Sequence, residues 1–325
     1  RIRNYDVNTR TDLLVNDFKW DSKKWINKLG FENHFEGLLK AVNYEAENTT
    51  KYKTDKTNSE VSGVVGFFSK LNLYKKDIGK GNFSSLTPKI MTRYAPGHMR
   101  RVQGGRLKYS NLFDLSKVTK IDVIESGFST AIGFDFKKND FNLENGIGKE
   151  RFSFSAGQVI SENENKDIPA KTSLDQRFSD IVGKSTLNIN NNIGLKYNFA
   201  IDQSYNELNY SEIGADMIFG KTKFNVSYLE EKNHIGNQEY IQSGIDLELN
   251  NSTALSFSAK RNILTNSAEY YNINYEYFND CLRAGIAYRR SFYTDRDVES
   301  TNSLMFKVTF VPFGEISSPT FPNAK

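Results

Sequence analysis

Cysteine is nearly absent from these 325 residues: Cys281 stands alone, so no disulfide closes within the chain and no cysteine-rich zinc site forms. Histidine is almost as scarce. His34, His98 and His234 lie far apart near expected turns or loops, in no metal-binding or Ser–His pattern. No run approaches about 18 consecutive apolar residues, which excludes transmembrane helices. It does not exclude a membrane, because a transmembrane barrel alternates apolar and polar residues and keeps a low mean hydropathy, here −0.58. Neither charge sign dominates: 43 Lys+Arg face 39 Asp+Glu, a net +4 that gives no reason to expect nucleic acid. The opening RIRNYDVNTR has neither an initiator Met nor a signal peptide's apolar h-region. It is read as the start of a fragment.

What the chain has in quantity is alternation. In TKFNVSYL (222–229), Phe224, Val226 and Tyr228 share one face, while Lys223, Asn225 and Ser227 share the other. Ile193, Leu195, Tyr197, Phe199 and Ile201 oppose Gly194, Lys196, Asn198 and Ala200 in the same way. Leu255, Phe257 and Ala259 oppose Ser256, Ser258 and Lys260; Leu304, Phe306, Val308 and Phe310 oppose Ser303, Met305, Lys307 and Thr309. A period of two is the strand signature, and helical spacing fits these windows poorly.

Tight-turn residues recur at Asn190–Asn192, Gly220–Lys221, Asn250–Asn251 and Asn279–Asp280, roughly 30 residues apart, where Gly, Asn and Asp suit positive φ. More polar connections fall between them, at 203–207, 232–237, 262–267 and 294–301. The pattern is a meander of strands about 10 residues long, with short turns at one end and longer loops at the other. Earlier strands are expected near 3–18, 33–47, 58–75, 84–95, 120–136 and 150–160. Loops at 96–119 and 161–183 would be extracellular, and the segment around Trp20 and Trp25 could form a short helix.

Soluble sandwiches alternate too, but their strands average about five or six residues and their turns come every 8–12 or so. Longer strands with one face apolar from strand to strand favour an all-β, antiparallel transmembrane β-barrel. Bacterial single-chain barrels have even strand numbers, and about 15 strands are counted here. Open edges in hydrocarbon leave backbone groups unsatisfied, so more strands are expected upstream of Arg1.

Several stretches carry a resemblance. They are TRTDLLVNDFKWDS (9–22), KAVNYEAENTTKYKTDKTNSEVSG (40–63), LTPKIMTRYAPG (86–97), YSNLFDLSK (109–117), IESGFSTAIGFDF (124–136) and ERFSFSAGQVI (150–160). The closing YFNDCLRAGIAYRRSFYTDRD (277–297) and SLMFKVTFVPFG (303–314) are the most specific. Together they resemble the C-terminal β-barrel portion of the LPS-assembly protein LptD family, also called organic solvent tolerance proteins, of alphaproteobacterial type. The resemblance implies that 1–314 is part of a barrel of about 26 strands, with 315–325 a periplasmic C-terminal tail. A periplasmic jelly roll would precede it. The implied localisation is the Gram-negative outer membrane.

The implied cargo is lipopolysaccharide, delivered by a periplasmic bridge protein docked on the missing N-terminal domain. An LptE-type plug lipoprotein would sit inside, and outer-membrane lipid would surround the wall. The implied exit is a lateral gate between first and last strands. Ser303, Leu304, Phe306, Lys307, Val308 and Phe310 would form one side, and Pro312 would end the pairing. Cys281 reads from its residue alone as a small hydrophobe in a wall; the resemblance implies a disulfide to a cysteine near the full protein's N-terminus, which an oxidising periplasm permits. Where the family often has two adjacent cysteines, Leu282 follows Cys281 here.

The cluster around His98, with Arg100, Arg101, Arg106 and Lys108, could meet lipopolysaccharide phosphates or simply be a solvated loop. Arg289 and Arg290 are adjacent in one strand and should point to opposite faces. Glu230–Glu231 read as rim charges, and Gly104–Gly105 and Gly146–Gly148 as loop glycines without a phosphate-loop lysine. No catalytic residue, metal or cofactor is expected. The alternatives are a passive porin or a TonB-type receptor barrel, with a barrel hydrolase using His98 or His234 behind them.

Overall fold

A computed structural model describes residues 2–4, 9–54, 57–77, 82–102, 105–141, 148–169, 172–232, 237–292, 302–310, 314–317 and 321–322. Among them no helix is long and apolar enough to cross a membrane. The fold is an all-β antiparallel meander, in which fifteen strands among the described residues have eight residues or more. Most expected strands are present with adjusted ends, but the single strand expected near 3–18 is instead Thr9–Asp21, with Ile2–Asn4 paired back antiparallel on Thr9 to Thr11. The strand expected at 120–136 starts only at Gly127, and Leu73–Asp77 splits off after Asn72. No helix forms near the tryptophans: Trp20 lies in the strand Thr9–Asp21 and Trp25 in the two-residue strand Trp25–Ile26. Their side chains are exposed with the strand's other apolar residues, so the period of two persists through a segment read as ambiguous.

The chain divides into two compact units. The first comprises Arg1–Leu187, Asn198–Ser211 and Glu231–Asn237. In its sheet, Thr9–Asp21 pairs with Phe31–Glu47, then come Asn58–Leu71, Asn82–Ala95, Gly127–Phe141, Gly148–Ser161 and Ile181–Asn188. Register sets apolar side chains beside one another on one face: Phe18 by Leu39, Phe35 by Phe67, Val65 by Tyr94, Tyr94 by Phe128, Ile90 by Ile132. All of these but the half-buried Phe67 are exposed, Val65 by 62%. So broad an apolar surface would be unusual facing water. The opposite face carries Lys40, Lys89, Arg93, Asp135 and Glu150.

The second unit comprises Asn188–Tyr197, Glu212–Glu230 and Gln238–Lys325. Its last five long strands are Gln238–Asn250, Thr253–Asn262, Ser267–Phe278, Leu282–Ser291 and Asn302–Phe310. One row across them reads Leu247, Leu255, Tyr275, Ile286, Phe306; the next residue along each strand gives Asp246, Ser256, Asn274, Ala287, Met305. Two-faced character is thus a property of the register, not of one strand. The expected turns recur with a shared device. Asn279 Oδ1 accepts from the amides of Cys281 (3.0 Å) and Leu282 (2.7 Å), and Asn190 Oδ1 from those of Asn192 and Ile193 (both 2.8 Å). Each side chain satisfies amides the tight turn would leave unpaired. Gly220 supplies the positive φ (+59°) at its own turn.

Candidate functional site

In the first unit the segment 105–126 lies on the sheet's polar face. This corrects the expectation of a solvated loop for most of that stretch: Leu107, Leu112, Val118, Val123 and Ile124 are buried. The sheet makes room with glycine. Gly133 and Gly157 face each other in register. A Cβ on Gly157 would collide with Leu112 Cδ2 and sit 2.6 Å from the Ile132 carbonyl; one on Gly133 would sit 3.1 Å from Phe113 Cζ and 2.6 Å from the Ala156 carbonyl. The ring of Phe113 and the side chain of Leu112 therefore settle on bare backbone.

Polar anchors hold the rest. Lys40 Nζ, at a position only 3% exposed, donates to Asp17 (2.6 Å) and to the Ile121 carbonyl (2.7 Å). Glu125 Oε1 accepts from the amides of Val118 (2.6 Å) and Lys117. Arg93 donates to the Glu125 carbonyl and lies 3.9 Å from its carboxylate. Lys117 is 1% exposed; burial, then Arg93, brings its ammonium down to about 8. Asn111 ties the 3-10 turn Tyr109–Asn111 together, donating to the carbonyls of Arg106 (3.0 Å) and Lys117 (2.9 Å).

A second clasp joins this segment to the connection after Phe31–Glu47. Asp122 accepts from the Tyr52 hydroxyl (2.5 Å) and Lys51 (3.3 Å), and Arg100 approaches at 3.5 Å. Burial pushes the Asp122 carboxyl up, but Tyr52, Lys51 and Arg100 together hold it below the usual carboxylate range. Arg100 also pairs with Glu60 (2.9 Å) and stacks 4.5 Å over Tyr52. Three cavities border the segment. One of about 280 Å³ is lined by Arg93, Lys117, Glu125, Lys166 and Leu174; one of about 420 Å³ by Asp17, Lys19, Glu36, Lys40 and Asp114; one of about 370 Å³ by Val42, Glu60, His98 and Asp122.

The basic residues singled out from the sequence separate here. Arg100 is spent on Glu60 and Asp122, and Arg106 on buried Glu231, the latter no rim charge. Arg101 and Lys108 are exposed. His34 sits not in a turn but inside Phe31–Glu47, buried, 2.7 Å from Glu36. His98 is exposed, and His234, Gly104 and Gly146 lie outside the described residues. Groups of His, Cys, Asp and Glu able to hold a metal are absent among the described residues.

In the second unit, Leu304, Phe306, Val308 and Phe310 lie in register with Tyr288, Ile286, Ala284 and Leu282. Ser303 and Lys307 lie on the other face, opposite Arg289 and Gly285. Gly314–Ser317 pairs with Lys307 to Phe310 on the strand's second edge, and Phe321–Pro322 pairs with Ser303 and Leu304. Pro312 lies outside the described residues. Cys281 is exposed in its turn. Arg289 stacks 4.7 Å over Tyr270 and Arg290 4.7 Å over Phe292, on opposite faces as expected.

Lys40 and Asp122, central to this geometry, carried no sequence signal, because their partners Asp17, Ile121 and Tyr52 are distant along the chain. A family model described as LptD, LPS transport system D, matches residues 22–271. No curated protein matches the chain. Among solved structures, two mutants of the Rhodopseudomonas blastica porin are similar at 10% identity and TM-score 0.42, covering 94% of this chain and 93% of theirs. A structure described as "Asymmetric conductivity of engineered proteins" is similar at 10% identity and TM-score 0.41, with the same coverage.

Proposed function

Because the chain belongs to the LptD family of LPS transport proteins of the outer membrane, we propose that it releases lipopolysaccharide into the outer leaflet through a lateral gate along Asn302–Phe310. The observation that carries this reading is the two-faced sheet: charged and amide groups on one side suit a sugar–phosphate head, and the apolar belt on the other suits acyl chains. An LptE-type plug lipoprotein, a periplasmic bridge protein acting through an N-terminal domain, and surrounding outer-membrane lipid are the partners this reading requires. The C-terminus would be periplasmic, the protein no enzyme, and the driving energy would come from upstream machinery. Lys108 and Arg101 are the headgroup contacts of the basic cluster that keep exposed side chains; Arg100 and Arg106 would have to exchange their carboxylates first.

The test is photocrosslinking in cells, with the full-length gene carrying probes at Lys307 and Phe306. Lipopolysaccharide adducts that vanish when the transport ATPase is depleted are the expected result. A folded barrel without adducts at either position would sink the gate.

The same reading has Cys281 bridging to a cysteine outside these residues. A non-reducing gel of the full-length protein should show a mobility change that Cys281→Ser removes; identical migration of the two proteins rejects the bridge. One observation favours a second reading, a passive pore: the segment 105–126 lies on the polar face, as a constriction loop does. Free diffusion of small solutes through the purified barrel in vesicles, without lipopolysaccharide adducts, would favour it.

A further inference from the structure

At one end of its strands, the apolar face of the first unit gives way abruptly to charge. Along Gly127–Phe141, the apolar-face residues Ile132, Phe134 and Phe136 are followed by Lys138, while Asp135 and Lys137 belong to the polar face. Register aligns Leu73, Leu86, Phe136 and Phe154 as one row of the apolar face. Two residues further toward that end, the next row of the same face reads Lys75, Ser84, Lys138. A step from leucine and phenylalanine to lysine within one row marks where hydrocarbon yields to headgroups, since a lysine keeps its stem on apolar surface and its charge in the wet layer.

The two lysines belong to one place. Ser84 stands between them in register, so their backbones are two strand spacings apart, about 10 Å. Their flexible stems can close on one group above Ser84. Both lysines are exposed, and among the described residues neither makes an ion pair. The charges beside Lys138 along its strand are already matched, Lys137 with Glu150 at 3.0 Å and Asp140 with Arg151 at 3.6 Å. The Ser84 hydroxyl likewise has no hydrogen-bond partner among the described residues. Two unmatched point charges and a free hydroxyl, backed by an apolar row, suit a phosphodiester attached to acyl chains. A zwitterionic head brings its own cation and gains less from this pair than a head with net negative charge.

The row lies at the ends of Asn82–Ala95 and Gly127–Phe141 away from the connection that joins them. On the outer-membrane reading, on which this inference rests, that connection is external, so the row meets the phospholipid leaflet. We propose that Lys75, Ser84 and Lys138 form a site for the phosphodiester of an anionic phospholipid, whose acyl chains lie against Leu73, Leu86 and Phe136.

The full-length protein, stripped of lipid in detergent micelles, is titrated with phosphatidylglycerol and with phosphatidylcholine, and bound lipid is counted by native mass spectrometry. Wild type should prefer phosphatidylglycerol by at least about fivefold. Lys75→Gln with Lys138→Gln should bring the two lipids to parity, and Lys75→Arg with Lys138→Arg, which keeps the charges, should retain the preference. Lys137→Gln, the neighbouring lysine on the polar face, should retain it too. Equal affinity of wild type for the two lipids overturns the proposal, as does a folded Gln double variant that still prefers phosphatidylglycerol. Tighter binding of lipopolysaccharide than of phosphatidylglycerol at this pair also overturns it. The gate fails separately: adducts at Phe306 and Lys307 without a phospholipid preference remove this site alone, and a preference without adducts removes the gate alone.

Discussion

Glu125→Ala should destabilise the folded protein by about 3–5 kcal/mol, the range found when one partner of a buried ion pair is removed. Its carboxylate does two things at once. Oε1 satisfies the amides of Lys117 and Val118, both on buried residues, and Oε2 is the carboxylate oxygen facing Arg93. Truncation leaves the amides of two buried residues without their acceptor, at up to about 1–3 kcal/mol each. It also leaves a guanidinium that is 3% exposed with no acid nearby. These terms share the same atoms and will not add fully. Glu125→Gln keeps an acceptor for the amides and removes only the charge, so it should fall between wild type and Ala. Thermal unfolding of the detergent-folded protein, together with trypsin cleavage after Lys117 and Lys120, reads both effects. Unchanged melting and unchanged protection in Glu125→Ala would mean that segment 105–126 is not held on the sheet by this residue.

How much of this could be read from the sequence depends on how far apart the partners lie. Strands and turns are local. The alternation of Phe224, Val226 and Tyr228 needs no other segment to be recognised, and Asn190 and Asn279 cap amides two and three residues away. The seated segment is the reverse case. Its contacts join Lys40 to Ile121, Tyr52 to Asp122 and Arg106 to Glu231, across separations of 81, 70 and 125 residues. Nothing in YSNLFDLSK (109–117) distinguishes a loop that lies on a sheet from one in solvent until Gly133 and Gly157 are known to lie beneath Phe113 and Leu112. Those glycines read in sequence as ordinary weak points of two strands. His34 does follow a turn, at Gly30, but the strand begins immediately after it, at Phe31, and takes His34 into the sheet. The two faces are legible in the later strands, such as 222–229 and 303–310, since a period of two survives small errors in strand ends.

Val65→Arg gives the largest contrast between a bilayer-spanning sheet and any soluble alternative. Val65 is 62% exposed on the apolar face and stands in register with Gly37 and Tyr94. If that face meets lipid, an arginine there should cost about 2–4 kcal/mol near the membrane midplane, less toward either interface. If it met water, exchanging an exposed valine for arginine would change stability by about 0.5 kcal/mol or less. Ile286→Arg repeats the test in the second unit, where Ile286 lies between Tyr275 and Phe306. Ser256→Arg serves as the comparison, since Ser256 lies between Asp246 and Asn274 on the polar face. Reversible folding into lipid vesicles, followed by denaturant titration, measures all three. Losses of a few kcal/mol at Val65 and Ile286 with Ser256→Arg near wild type place lipid against the apolar face. Equal, small effects at all three positions would remove the membrane from the argument, and the gate with it.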